Sequence, residues 1–179
     1  IDAENALIDP LSKKDKESFL ILRNKYSYIK ATEIVSRDVG AAVQACGEKN
    51  PDMKSKMDAR YKQWRSAVDP IVETAEKQLN KDIDALKIVD PEDARDVLKL
   101  HDEAYEDAEK HIVKTPVTTA DACRGTLASM DRTEDDMIRL LQQTLLTEST
   151  IRKRAAEAKK TKSAPEKNTS AAEGASKPE

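Results

Sequence analysis

Between Asn50 and Leu86 the apolar residues fall three or four positions apart without a slip: Met53, Met57, Tyr61, Trp64, Val68, Ile71, Ala75, Leu79, Ile83 and Leu86. Steps of three and four place them all on one face of an α-helix. The residues between them are mostly Lys, Asp, Glu, Gln and Ser, so the other face is wet. A stripe of about ten turns cannot stand bare in water. The chain must therefore supply further elements to cover it.

Composition favours helices for those elements. Charged residues make up 36% of the 179 positions, above the roughly 25% of an average domain. Aromatics are 3% and there are 4 glycines, too few for the turns and strands of a β-sandwich or barrel. A net charge of −3 sets up no strong field toward nucleic acid or membrane. No apolar run approaches the roughly 18 residues of a membrane span. The chain begins with Ile1, which fits removal of an export signal or a trimmed domain boundary.

Residues 1–11 carry little pattern beyond the Asp9-Pro10 turn signal and read as an N-terminal extension. Ser12 followed by Asp15 is a weak helix start. From there Phe19-Leu20-Ile21-Leu22, Tyr26, Ile29, Val35, Val39, Val43 and Cys46 keep helical steps, as one helix or two. Gly40 is internal and leaves room for a neighbouring helix; Gly47 stands where a C-cap glycine belongs.

Asn50-Pro51 is a strong start signal, with Asn as cap and Pro in the first turn. Asp69-Pro70 interrupts the long stripe chemically, but Trp64, Val68, Ile71 and Ala75 keep phase across it. The expectation is a kinked yet continuous helix. Asp90-Pro91-Glu92-Asp93 repeats the start signal. Its stripe runs through Ala94, Val97, Leu98, His101, Tyr105, Ala108 and Ile112 to a stop at Thr115-Pro116. Thr118 or Thr119 opens a last helix with Cys123, Leu127, Met130, Met137, Leu141 and Leu145 inward, and Glu134 breaking the seam.

The expected fold is all-α: an up-and-down antiparallel bundle of four to five helices over residues 12–150, coiled-coil-like in packing, with one long, Pro-kinked helix. Residues 151–162 read as a basic helical extension. Residues 163–179 lack the apolar surface to order themselves and read as a disordered tail. Asn168-Thr169-Ser170 matches a glycosylation pattern there but carries no weight.

Traced as up-and-down rods, the chain brings Cys46 and Cys123 to the same pole, as a disulfide requires. The alternative is two buried free thiols acting as small apolar residues. A disulfide points to a periplasmic or secreted location.

Reaction chemistry is hard to find. A di-iron bundle needs Glu-x-x-His, but Leu98 and Ala108 stand three residues before His101 and His111. There is no haem-attachment motif, no Gly-rich phosphate loop and no Gly-x-Ser-x-Gly elbow. No catalytic, metal or cofactor residues are assigned, and the chain is read as non-enzymatic. The leading expectation is an exported, bacterial-type helical protein that binds another macromolecule, a protein first of all, through a helix face or groove. A second is a carrier or chaperone for lipid, peptide or a small apolar molecule, hinted at by Met53, Met57, Met130 and Met137. A third is a tether to acidic lipid or polysaccharide through Arg152, Lys153, Arg154, Lys159, Lys160 and Lys162. No specific nucleic acid is expected, and the oligomeric state stays open.

Overall fold

A computed structural model describes residues 2–147 and 150–153. Among these residues there is no strand. The helices in order are α1 (Asp2–Ile8), α2 (Lys13–Lys49), α3 (Pro51–Asp84), α4 (Pro91–Lys110) and α5 (Ala120–Thr144); residues 150–153 are helical as well. The chain divides into two units, Ile1–Leu146 and Thr147–Glu179. In the second, the Thr150 N–H donates to Thr147 Oγ1 at 3.4 Å and opens the turn there. The expected tail, 163–179, and the Asn168 motif lie outside the described residues.

Residues 13–49 form one helix, so the question of one or two is resolved by α2. Ser12 caps it: the Asp15 N–H donates to Ser12 Oγ at 3.3 Å, and Ser12 Oγ donates to Asp15 at 2.7 Å. The predicted C-cap role of Gly47 does not hold. α2 continues through Gly47 to Lys49, and no described glycine has positive φ. Gly47 is small because a Cβ there would meet Lys54 Cγ at 3.0 Å.

The long stripe behaves as its spacing predicts. Met57, Trp64, Val68, Ala75, Leu79 and Ile83 are buried, and Met53, Tyr61, Ile71 and Leu86 pack partly buried beside them. α3 runs without interruption through Pro70. Asp69 does not start a new helix; both its oxygens accept from Arg65 Nε at 2.7 Å.

α2, α3 and α5 share the main core. α2 and α3 run in opposite directions, since Lys25 meets Asp82 while Ser36 meets Tyr61. α5 follows the direction of α3: Asn50 reaches Thr118 and Arg60 reaches Asp131. Phe19, Leu22, Ile29 and Val43 from α2 and Leu127, Met130 and Leu141 from α5 are buried in the core that these helices share with α3. Each large side chain so buried contributes about 1.5–3 kcal/mol. Glu134, out of place in an apolar seam, is explained by Arg60, which it meets at 2.8 Å.

α4 follows a different rule. Asp90 caps it by accepting the Glu92 N–H at 2.8 Å, and Ala94, Val97 and Leu98 are buried. Beyond them the stripe stays open. Tyr105 and Ile112 are 41% and 59% exposed, and Ala108 is exposed too. The helix also stops at Lys110, short of the expected Thr115-Pro116. This half of α4 is held to α2 by charge, through Lys30–Asp102 at 3.8 Å and the Arg37–Glu109 pair.

The pattern-poor N-terminus forms α1. Its Glu4 is buried and receives Arg23 Nη1 of α2 at 2.6 Å and His101 Nε2 of α4 at 3.2 Å.

Candidate functional site

The pole where α2 ends and α5 begins is built around the cysteines. Cys46 and Cys123 are both fully buried, and their sulfurs lie 2.12 Å apart, at disulfide distance. Asn50 sits beside them. It was expected to cap α3, but its side chain makes no cap bond. Its Nδ2 instead donates to the Cys46 carbonyl at 3.2 Å and the Thr118 carbonyl at 3.0 Å. One amide thus joins the end of α2 to the segment that leads into α5. Thr119 caps α5 by accepting the Ala122 N–H at 3.3 Å.

Among the described residues, recesses flank α2. The first lies between α2 and α5 and measures about 500 Å³. Val35, Val39 and Ala42 form one wall; Ala122, Gly125 and Met130 form the other, with Val117 at one end. Small side chains on α5 keep it open: a Cβ on Gly125 would meet nothing within 4 Å. The surroundings are largely apolar, with Thr126, Ser129 and Thr133 as the polar edge.

Charge orders the segment that follows α4. Lys114 donates to Asp38 at 2.8 Å and to Glu109 at 2.9 Å. The Lys114 hydrogen bond is the main reason the Asp38 carboxyl is held below its ordinary range. The same contacts, first of all that to Asp38, hold the Lys114 ammonium above its own.

The second recess, about 240 Å³, lies between α2 and α4 and is edged by Lys30, Asp102, Tyr105 and Glu109. Next to it Tyr26 is pushed above the normal phenol range, chiefly by burial and then by its hydrogen bond to Asp102. The third recess, between α2 and α3, measures about 470 Å³ and is acidic. There burial, followed by the neighbouring Glu33, holds the Glu76 carboxyl above the usual carboxylate range.

The remaining expected residues fall as follows. His101 rests against Glu4, and His111, just past the end of α4, donates from Nδ1 to the Asp107 carbonyl at 2.8 Å. Among the described residues no group of three or more His, Cys, Asp or Glu could hold a metal ion. Met57 and Met130 are buried in the core, and Met53 and Met137 pack against it. Of the basic stretch, Arg152 and Lys153 are described, half-buried and exposed respectively. Arg154, Lys159, Lys160 and Lys162 lie outside the described residues. No helix among the described residues is long and apolar enough to cross a membrane. The acidic recess and Glu4 were not anticipated, because a carboxylate on a polar helix face carries no sign of what packs beside it. Comparison with protein families, curated proteins and solved structures finds no match for this chain.

Proposed function

We propose that this chain is a non-enzymatic, exported helical protein that binds another protein in the groove between α2 and α5. The observation that carries the reading is that groove: about 500 Å³, walled by Val35, Val39, Ala42, Ala122 and Met130, and unobstructed at Gly125. An amphipathic helix presents apolar side chains at three- and four-residue spacing, which suits a trough between two parallel-lying rods. The open half of α4, with Tyr105 and Ile112 exposed, adds apolar surface of the kind that partners cover. Cys46 and Cys123 at disulfide distance support a periplasmic or extracellular setting. The architecture in this reading is an up-and-down bundle with α3 bent at Pro70, which keeps α2 and α5 side by side.

Photo-crosslinking tests it. A benzophenone side chain at Thr126 should capture a partner from the producing cells and their surroundings, and one at the exposed Asn80 should not. Gly125→Trp fills the trough without touching the core and should abolish capture while leaving the helical circular dichroism unchanged. Equal capture from Thr126 and Asn80, or capture that survives Gly125→Trp, would rule the groove out.

A further inference from the structure

We propose that the segment joining α4 to α5 is a processing site, cut between Val113 and Lys114 by an elastase-type endoprotease, one that takes a small aliphatic side chain just ahead of the bond it breaks. Such enzymes bind an extended substrate by its main chain and seat one side chain in a specificity pocket. A helix must unwind to meet that demand, and this segment need not. Residues 112–118 belong to no helix, and residues 111–116 are all exposed. The hydrogen bonds at the end of α4 stop with the Ile112 N–H on the Glu109 carbonyl at 3.1 Å. Among the described backbone–backbone bonds none involves Val113, Lys114, Thr115 or Pro116, so these groups are free to pair with an enzyme.

Both ends of the segment are held. On the α4 side Glu109 pairs with Arg37. On the α5 side Asn50 Nδ2 donates to the Thr118 carbonyl at 3.0 Å, and Val117 packs against the core. The stretch between them is offered at a fixed place on the surface, as nicking sites commonly are.

Two residues compete for the specificity pocket. Lys114 would suit a trypsin-type enzyme, but its ammonium lies 2.8 Å from Asp38 and 2.9 Å from Glu109. Drawing it into a pocket breaks both contacts. Val113 is 93% exposed and is not among the side chains packed on the core. It can enter a small apolar pocket without breaking a described contact. Val89, between α3 and α4, gives the contrast. It also lies outside any helix, yet it and Ile88 are half-buried against the core and must be pulled out first.

The step is hydrolysis. The amide C–N bond between Val113 and Lys114 breaks, the Val113 carbonyl carbon takes the hydroxyl of water, and the Lys114 nitrogen takes the proton. The products are residues 1–113, with α1 to α4, and residues 114–179, with α5. Cys46 is on the first and Cys123 on the second, so the disulfide keeps them together. The two walls of the α2–α5 groove then belong to different chains.

Brief digestion of the full, unreduced chain with elastase tests the proposal. Mass and terminal sequence after reduction should give Lys114 as the first new N-terminus arising within residues 1–146. Without reductant the two pieces should stay together and keep the helical circular dichroism of the parent. Val113→Asp, a change on an exposed side chain, should slow cutting at this bond on the order of tenfold or more, because a charge must enter an apolar pocket. Trypsin should cut after Lys114 several-fold faster in Asp38→Asn/Glu109→Gln than in the parent. A first cut at Val89 or inside a helix, or no cut until the chain unfolds, overturns the proposal. Undiminished cutting of Val113→Asp, or equal trypsin cutting of the parent and the double variant, overturns it as well.

Discussion

Lys25 and Asp82 form an almost buried ion pair between α2 and α3, Nζ to Oδ2 at 2.6 Å, with the lysine only 5% exposed. The same ammonium donates to the Leu146 carbonyl at 2.8 Å, just past the end of α5. One charge therefore stitches three segments together, at the end of the bundle away from the cysteines. Asp82 is further held by Gln78 Nε2 at 2.8 Å. Removing one partner of such a pair leaves an uncompensated charge, whereas replacing both partners by matched apolar chains costs little. Asp82→Ala should destabilise the fold by about 3 kcal/mol. Lys25→Met should cost distinctly less, because its stem volume is kept and Asp82 retains Gln78 and some solvent. Urea unfolding of both variants checks the order; equal losses would show that packing, not charge, matters at this site.

Gly40 and Tyr61 make a separate, steric prediction. A Cβ on Gly40 would sit 2.6 Å from the Tyr61 hydroxyl, which donates to the Ser36 carbonyl at 2.9 Å. Propensity alone would make Gly40→Ala stabilising by about 1 kcal/mol in a helix interior. Here the ring must move and its hydrogen bond must break, so the net effect should be destabilising by about 1–2 kcal/mol. Tyr61→Phe removes the oxygen that clashes. In that background Gly40→Ala should cost clearly less, and a double-mutant cycle reads the coupling directly.

The contrast between α3 and α4 shows what could be read from sequence. Both carry a regular apolar stripe, and helical period assigned the inward face of α3 throughout but that of α4 only as far as Leu98. Period does not say whether a neighbour is present. α3 lies between α2 and α5, so Met57 through Ile83 are covered; α4 has no comparable neighbour beyond Leu98, so Tyr105 is open. The cysteine pair was legible because up-and-down tracing depends only on helix count and short connections. Lys25–Asp82 and Arg60–Glu134 were not, since partners 57 and more residues apart are chosen by rotation of whole helices. Asn50 was read as a cap from local preference, and tertiary partners at the pole claimed its amide instead. The recesses beside α2 were invisible for a simpler reason: empty space has no residue to mark it.

The cysteine pair should dominate global stability. Its members are 77 positions apart, enclosing α3, α4 and the turns between. In the chain-entropy treatment, closing a loop of that length stabilises the fold by about 4–5 kcal/mol. Cys46→Ala with Cys123→Ala should lower the unfolding free energy by an amount of that order. The loss should come with little change in helical content, because Asn50 still ties the two segments. Intact mass after alkylation, with and without reductant, should differ by two modified thiols. Uptake of alkylating agent by unreduced, unfolded protein would contradict the pairing.

Glu76, on the wall of the α2–α3 recess, makes stability depend on pH in a stated direction. Glu76 is a carboxyl whose folded pKa is raised, by burial first and by Glu33 second. A raised folded value means the native state holds the proton more tightly than the unfolded chain does. Its contribution is fully present below the unfolded value of about 4.3 and is lost as pH rises through the folded value. Glu76→Gln keeps the shape and cannot ionise. It should therefore match the parent near pH 4 and exceed it near pH 8, by less than about 1 kcal/mol because the site is partly open to water. Thermal melts of both proteins across that range give the measurement. A variant less stable than the parent at the alkaline end would mean that ionised Glu76 is held by a cation, most simply Lys30, and not opposed by Glu33.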